Sequence, residues 1–166
     1  MIYFKETPVG RIGIGEKNGA IVKTVFEHNT EKVGAEFCDF DENDVDAEVP
    51  EIVAEAFKQL DEYFKGERTE FQLPLAPEGT TFMKRVWAAL CDIPYGTTST
   101  YKDIAIAVGC PKGYRAVGMA NNKNPIGIII PCHRVIGSSG KLVGYAGGTD
   151  LKTKLLVLEN KQFKEA

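Results

Sequence analysis

The chain has 166 residues, 43% hydrophobic and 26% charged, which suits a soluble globular protein of one ordinary domain or two small ones. No run approaches the ~20 apolar residues that span a bilayer, and Met1-Ile2-Tyr3-Phe4-Lys5 lacks a signal-peptide pattern. No membrane partner is expected, and the expected location is cytoplasmic, or nuclear in a eukaryote.

Strands are predicted at Ile2-Tyr3-Phe4-Lys5, Arg11-Ile12-Gly13-Ile14 and Ala20-Ile21-Val22-Lys23-Thr24-Val25-Phe26, with Asn18-Gly19 as a hairpin turn between the last two. The acidic stretch from Asp39 to Glu48 reads as a loop. Pro50 opens a helix whose apolar residues are Ile52, Val53, Ala56, Phe57, Leu60 and Phe64, and Gly66 stands just beyond its end. Gly66 to Gly79, with Pro74 and Pro77, reads as an extended linker. Phe82, Val86, Trp87 and Leu90 form the stripe of a second helix, ended by Pro94-Tyr95-Gly96. Thr100 and Asp103 make a capping box for a third helix, with Tyr101, Ile104, Ala105 and Val108 on one face and Gly109 and Pro111 as its stop. A short fourth helix runs from about Gly113 to Asn122 and is halted by Asn124-Pro125.

The third and fourth helices around a Gly/Pro turn are a helix-turn-helix candidate. The charge supports a polyanionic partner for this half. Residues 1–80 hold eighteen acids and eight bases, whereas residues 81–166 hold five acids and twelve bases. No acid falls between Asp103 and Asp150, where Lys112, Arg115, Lys123, Arg134 and Lys141 lie. A solvated basic face would account for the same charges. The fourth helix carries Gly113, Ala116, Gly118 and Ala120 beside Arg115 and Lys123. Small residues let a backbone approach a DNA groove, and they equally allow tight helix packing.

Cys38, Cys91, Cys110 and Cys132 show no CxxC pairing, so reduced thiols are expected. With only His28 and His133 as further ligands, no metal site is expected. Ile126 to Ile130 reads as a buried strand or core segment, broken by Pro131 just before Cys132-His133-Arg134-Val135. A cysteine leaving a rigid segment at such a break is suited to reactivity. A free thiol has a pKa of about 8.5 and needs a base. His133 is adjacent in sequence, yet neighbours diverge by roughly 100° on a helix and point to opposite faces of a strand. A bridging water is then the natural proton route. A buried structural cysteine with a capping histidine is the competing reading of the bare pair.

Ile93-Pro94-Tyr95-Gly96, Arg115-Ala116-Val117-Gly118, Asn124-Pro125, Pro131-Cys132-His133-Arg134-Val135, Gly144-Tyr145-Ala146-Gly147-Gly148 and Lys154-Leu155-Leu156-Val157-Leu158-Glu159 together resemble the O6-alkylguanine-DNA alkyltransferases, also called methylated-DNA–protein-cysteine methyltransferases. The motifs span about residues 80–160 in the family's order. The resemblance implies an α+β chain. An N-terminal α/β domain with antiparallel strands and a linker would cover 1–78. A mainly helical, winged-helix-like domain with the helix-turn-helix, covering 79–166, would bind DNA and carry out the transfer.

The resemblance also implies roles. Cys132 would take an alkyl group, a methyl above all, from O6-alkylguanine, once and irreversibly. Glu159 would orient His133, which draws the thiol proton through a water, and Asn124 would brace the Cys132 segment. Tyr101 would donate a hydrogen bond to the departing guanine. The backbone of Val135, with Tyr145 and Ala146, would line its pocket. Arg115 would fill the gap left by a flipped nucleotide, on a helix in the minor groove of duplex DNA. Lys112, Ala116, Ala120 and Lys123 would join it in contacting that DNA. A monomer is expected. No cofactor is expected, since a thioether once formed needs no second step and the chain has no GxGxxG or P-loop.

The chain departs from some members at three places. It lacks paired zinc ligands in its first half, Gly127 stands where some have a pocket-wall proline, and Gly113-Tyr114 stands where several have small aliphatic residues. Two rivals are a non-catalytic relative that binds alkylated DNA, against which Cys132 argues, and a cysteine hydrolase.

Overall fold

The computed structural model describes residues 1–27, 37–44, 47–142, 145 and 148–164. The chain divides into two compact units, Met1–Pro77 and Glu78–Ala166, and no helix among the described residues is long and apolar enough to cross a membrane.

The first unit is a four-stranded sheet with one helix. The strands β1 (Ile2–Thr7), β2 (Gly10–Lys17), β3 (Ala20–Phe26) and β4 (Phe37–Asp39) lie in the order β3-β2-β1-β4. Asn18 and Gly19 take φ values of 53° and 77°, the left-handed pair that a two-residue hairpin with the native strand twist requires. Helix α1 (Glu51–Phe64) ends in a Schellman motif: the Gly66 amide donates to Tyr63 O at 3.0 Å and the Glu67 amide to Glu62 O at 2.8 Å. Val53, Ala56, Phe57, Leu60 and Tyr63 are its buried apolar residues. The stripe is therefore completed by Tyr63, and Ile52 and Phe64 sit at its margin, half-buried.

Two sequence expectations change here. Asp39 belongs to β4, which pairs parallel with β1 through Ile2↔Phe37, Tyr3↔Cys38 and Phe4↔Asp39. Three residues are too few to show a period, and their partner is remote in sequence. Within the expected loop, residues 45 and 46 lie outside the described residues. The expected linker is also partly docked. Ile21 N donates to Pro74 O at 2.9 Å and Ala76 N to Ile21 O at 2.8 Å, so this segment pairs with β3. The Gln59 side chain holds the Gln72 backbone at 2.8 and 3.1 Å. Prolines remove donors only at their own positions, and an edge strand tolerates them.

The second unit is mainly helical. Thr80 caps α2 (Thr81–Cys91) by accepting from Met83 N at 3.1 Å. Trp87 fills the helix interface, and its indole donates to Ala120 O at 2.9 Å. A Cβ on Gly79 would lie 2.4 Å from the Trp87 ring, so only glycine fits there. The short strand β5 (Ser99–Thr100) leads into α3 (Tyr101–Ala107), whose capping box forms as expected. Gly109, at φ 80°, turns the chain toward α4 (Tyr114–Asn122).

Ile126 to Ile130 is core but not strand. Ile128 has φ 71°, and the segment bonds to itself, Ile129 N to Gly127 O and Ile130 N to Ile126 O, both at 2.9 Å. Its isoleucines are 0–5% exposed, so the apolar run reports burial, while a local turn replaces strand pairing. A 3-10 turn, Cys132–Arg134, then leads into β6 (Val135–Ile136), which pairs parallel with β5. Helix α5 (Thr149–Glu159) closes the unit.

Candidate active site

Cys132 begins the 3-10 turn and is 4% exposed. Its position is set by asparagines. Asn124 Nδ2 donates to Ile130 O at 2.9 Å and its Oδ1 accepts from Ile126 N at 3.0 Å, clamping both ends of the isoleucine turn. Asn121 Nδ2, on α4, donates to Cys132 O at 3.4 Å. Burial pushes the Cys132 thiol up to about 11, against the hydrogen bond from Asn124 and the charge of Lys152, which pull it down. At pH 7 the unaided thiolate is then only about one molecule in ten thousand, and reaction requires a base.

His133 is fully buried, and its Nε2 lies 2.6 Å from Glu159 Oε2. A carboxylate accepts hydrogen bonds, so the imidazole proton sits on Nε2 and Nδ1 carries the lone pair. Nδ1 is buried and has no hydrogen-bond partner among the described residues. Burial lowers the His133 pKa, Glu159 works the other way, and Arg134 and Lys152 lower it further. The resting imidazole is thus neutral, with its basic nitrogen available.

Glu159 is held by more than His133. Arg134 Nε donates to Oε1 at 2.7 Å and Arg134 Nη2 to Oε2 at 3.2 Å, while Nη1 donates to Ile93 O at 2.7 Å. The guanidinium lies 5.7 Å from the Tyr95 ring centroid. Gly96 N approaches Glu159 Oε1 at 3.5 Å, and Asn160 Nδ2 donates to Gly96 O at 3.2 Å. The Ile93-Pro94-Tyr95-Gly96 turn is therefore the cradle that fixes Arg134 and the end of α5. A forked arginine keeps the buried carboxylate ionised.

The short β5–β6 pairing brings Ser99 opposite Val135 and so sets Tyr101, the first residue of α3, beside the cysteine turn. Burial raises the Tyr101 pKa, with a further rise from the charge of Cys132. Tyr145 is buried, and burial first, then Cys132 and Glu159, push its phenol well above the usual value. Ala146 lies outside the described residues. Val135 is fully buried, and its carbonyl accepts from Lys152 Nζ at 2.6 Å.

The groove-facing residues divide. Lys112, Arg115, Ala116 and Lys123 are exposed, as are Tyr114 and Met119 at 42% and 60%. Ala120 is 1% exposed and packs inward where Trp87 binds its carbonyl. Its expected place on the DNA face is corrected, because helical phase turns it to the core with Val117 and Asn121.

Asn121 and Lys152 were given no role from sequence, and Arg134 was only counted among the bases facing a polyanion, a place corrected by its burial against Glu159. Lys152 had a readable signal: Leu151, Lys152, Leu155, Leu156 and Glu159 form the buried stripe of α5, and two of the five are charged. Arg134 and Asn121 gave no comparable pattern.

Comparison with known proteins finds relatives along both units of the chain. Residues 81–161 match the 6-O-methylguanine DNA methyltransferase DNA binding domain, and residues 2–77 match the ribonuclease-like domain of the same proteins. The constitutive methylated-DNA–protein-cysteine methyltransferase of Bacillus subtilis is 45% identical over 161 residues, covering 96% of this chain and 95% of that one. The methylated-DNA–protein-cysteine methyltransferase of Methanosarcina barkeri is 63% identical over 110 residues, covering 66% of this chain and 70% of that one. A crystal structure of Mycobacterium tuberculosis OGT in complex with DNA superimposes with a TM-score of 0.84 at 40% identity, covering 96% of this chain and 92% of that one. The chain belongs to the 6-O-methylguanine DNA methyltransferase family.

Proposed function

We propose that this protein repairs DNA by moving the alkyl group of O6-alkylguanine onto Cys132, one group per molecule. The observation that carries the reading is the His133 side chain. Its Nε2 is fixed by Glu159 at 2.6 Å, and its Nδ1 is buried without a hydrogen-bond partner among the described residues, one residue from a buried cysteine. The thiol proton passes through a water to Nδ1, and Glu159 stabilises the imidazolium. Sulfur attacks the alkyl carbon, the carbon–O6 bond breaks, and its electron pair leaves with guanine. Tyr101 donates a hydrogen bond to that leaving group, and Val135 and Tyr145 line its pocket. The thioether product has no carbonyl for water to attack, so the thiol is not regenerated. The methylated-DNA–protein-cysteine methyltransferase names of the relatives support the reaction.

The groove helix is α4. Arg115 occupies the space of the flipped nucleotide, and Ala116, Lys112 and Lys123 approach the backbone in the minor groove. Residues 79–166 carry binding and chemistry, and residues 1–78 form the separate N-terminal domain. Acting on chromosomal DNA, the protein works in the cytoplasm of a prokaryote or the nucleus of a eukaryote, as a monomer.

The test is to incubate the protein with duplex DNA containing O6-methylguanine, weigh it intact and map the modified peptide. A gain of one methyl on Cys132, with no turnover, is the expected result. No gain in mass would leave a non-catalytic binder, and repeated product release would mean a hydrolase.

A further inference from the structure

Asn121 lies on α4, the helix that carries Arg115, yet it is 2% exposed and faces the interior. A buried amide brings both a donor and an acceptor, and each needs a partner. The donor has one. Asn121 Nδ2 donates to Cys132 O at 3.4 Å, so the side chain reaches the backbone of the nucleophile itself. A carbonyl only accepts, so this contact settles which end of the amide faces the cysteine turn. Oδ1 is turned away from it, buried, with no hydrogen-bond partner among the described residues. Burying an acceptor unpaired is costly, and an aliphatic side chain of similar volume would avoid the cost.

The other side-chain acceptors at the turn are committed. Glu159 is taken up by His133 and Arg134. Asn124 Oδ1 holds Ile126 N. His133 Nδ1 receives the thiol proton. Asn121 Oδ1 is left for a donor that arrives with the substrate. Alkylation at O6 removes the N1 hydrogen of guanine, and the exocyclic amine N2 is then the donor on the Watson–Crick edge. O6 and N2 flank N1 on that edge. A base presenting its O6-alkyl carbon to Cys132 Sγ therefore carries N2 along the same edge, beside the backbone on which Asn121 is anchored. Flipped bases are read by hydrogen bonds to this edge. We propose that Asn121 Oδ1 accepts a hydrogen bond from the exocyclic amine of the alkylated guanine, which makes Asn121 a specificity residue of the base pocket. The proposal rests on the alkyl-transfer reading for the identity of the base. O4-alkylthymine presents a carbonyl oxygen in place of the amine, and two acceptors facing each other repel.

The experiment uses two single-stranded oligonucleotides, one with O6-methylguanine and one with O6-methylhypoxanthine, which differs only in lacking the amine. Single strands remove the cost of unpairing from the comparison. Single-turnover methyl uptake is mapped to Cys132 by mass. The native protein should favour the guanine by about tenfold, the worth of one hydrogen bond. Asn121→Leu should bring that ratio to about one. Loss of the contact with Cys132 O slows both substrates by the same factor and leaves the ratio unchanged, so the ratio separates recognition from a merely structural role. Asn121→Asp keeps an acceptor and should keep the preference, at a lower overall rate. If Asn121→Leu does not fold, Asn121→Ala carries the same test. A folded variant without the amide that retains the native ratio, or a native protein that treats the two substrates alike, overturns the proposal. Equilibrium affinity for the same oligonucleotides is read in Cys132→Ala with and without Asn121→Leu. A preference that appears there and vanishes with Asn121→Leu, while the native protein takes up no methyl, leaves the Asn121 assignment standing and the alkyl-transfer reading refuted.

Discussion

Glu159→Gln isolates charge from shape at the centre of the proton relay. The native carboxylate accepts from His133 Nε2 at 2.6 Å and from Arg134 at 2.7 and 3.2 Å, all in the buried interior. Glutamine retains the volume but can present an N–H toward His133, which would move the imidazole proton to Nδ1 and block the nitrogen that should receive the thiol proton. It also leaves the imidazolium facing Arg134 without its counter-ion. At an effective dielectric of about 20, charges about 4 Å apart attract by about 4 kcal/mol. At 1.36 kcal/mol per decade, that is about a thousandfold in rate if proton transfer is complete in the transition state. Leaving the Arg134 guanidinium buried and unmatched should also cost about 3 kcal/mol of stability or more. The assay is single-turnover methyl uptake at pH 6 to about 10, with thermal melts alongside. The thiol titrates near 11, so the deficit should narrow in alkali, where Cys132 ionises with less help from His133. A loss that is equal at every pH in a folded variant would falsify the general-base role and leave Glu159 a structural partner of Arg134.

Further expectations follow from the same geometry. Cys132→Ala should abolish methyl uptake while DNA affinity stays near native, since phosphate contacts supply most of it; uptake mapped to Cys38, Cys91 or Cys110 would contradict the assignment. Arg115→Ala should slow repair of duplex DNA far more than it weakens binding, less so for a mispaired or single-stranded guanine. Equal losses on duplex and single strand that track affinity would make Arg115 only a phosphate contact. Asn124→Ala removes two hydrogen bonds from the turn where Ile128 has φ 71°, and a loss of about 2 kcal/mol is expected in denaturant titration. Lys152→Met should remove the pH dependence of stability that Lys152 imposes: its pKa of about 8 lies below the ordinary 10.5, so the native fold alone loses about 3 kcal/mol as pH falls between those values. The native-to-variant difference should therefore shift by that amount across the window, on top of a constant cost for leaving Val135 O without its donor. A gap that stays constant with pH would contradict it.

Periodic and capping signals were legible in the sequence because they are local. The Asn18-Gly19 hairpin, the Thr100–Asp103 capping box and the Gly66 helix stop each need only neighbouring residues to form. Burial of Ile126 to Ile130 was legible for the same reason, since apolarity alone drives it. Their conformation was not, because hydrophobicity does not distinguish a strand from a buried turn, and the asparagine clamp and positive φ at Ile128 decide it. The Cys132-His133 pair was legible as a chemical possibility, and the motif order carried the family. What tertiary structure decided is which charges meet. Glu159 lies far along the chain from His133, Arg134 and Gly96, and Tyr101 reaches the cysteine turn only through the pairing of Ser99–Thr100 with Val135–Ile136. Ala120 turned inward and Arg115 outward because five residues at roughly 100° each set them about 140° apart around the helix. Electrostatic reach depends on distance through space, which sequence spacing does not encode beyond a turn or a hairpin. The buried charges of Arg134 and Lys152 therefore acquire their meaning only in the folded chain.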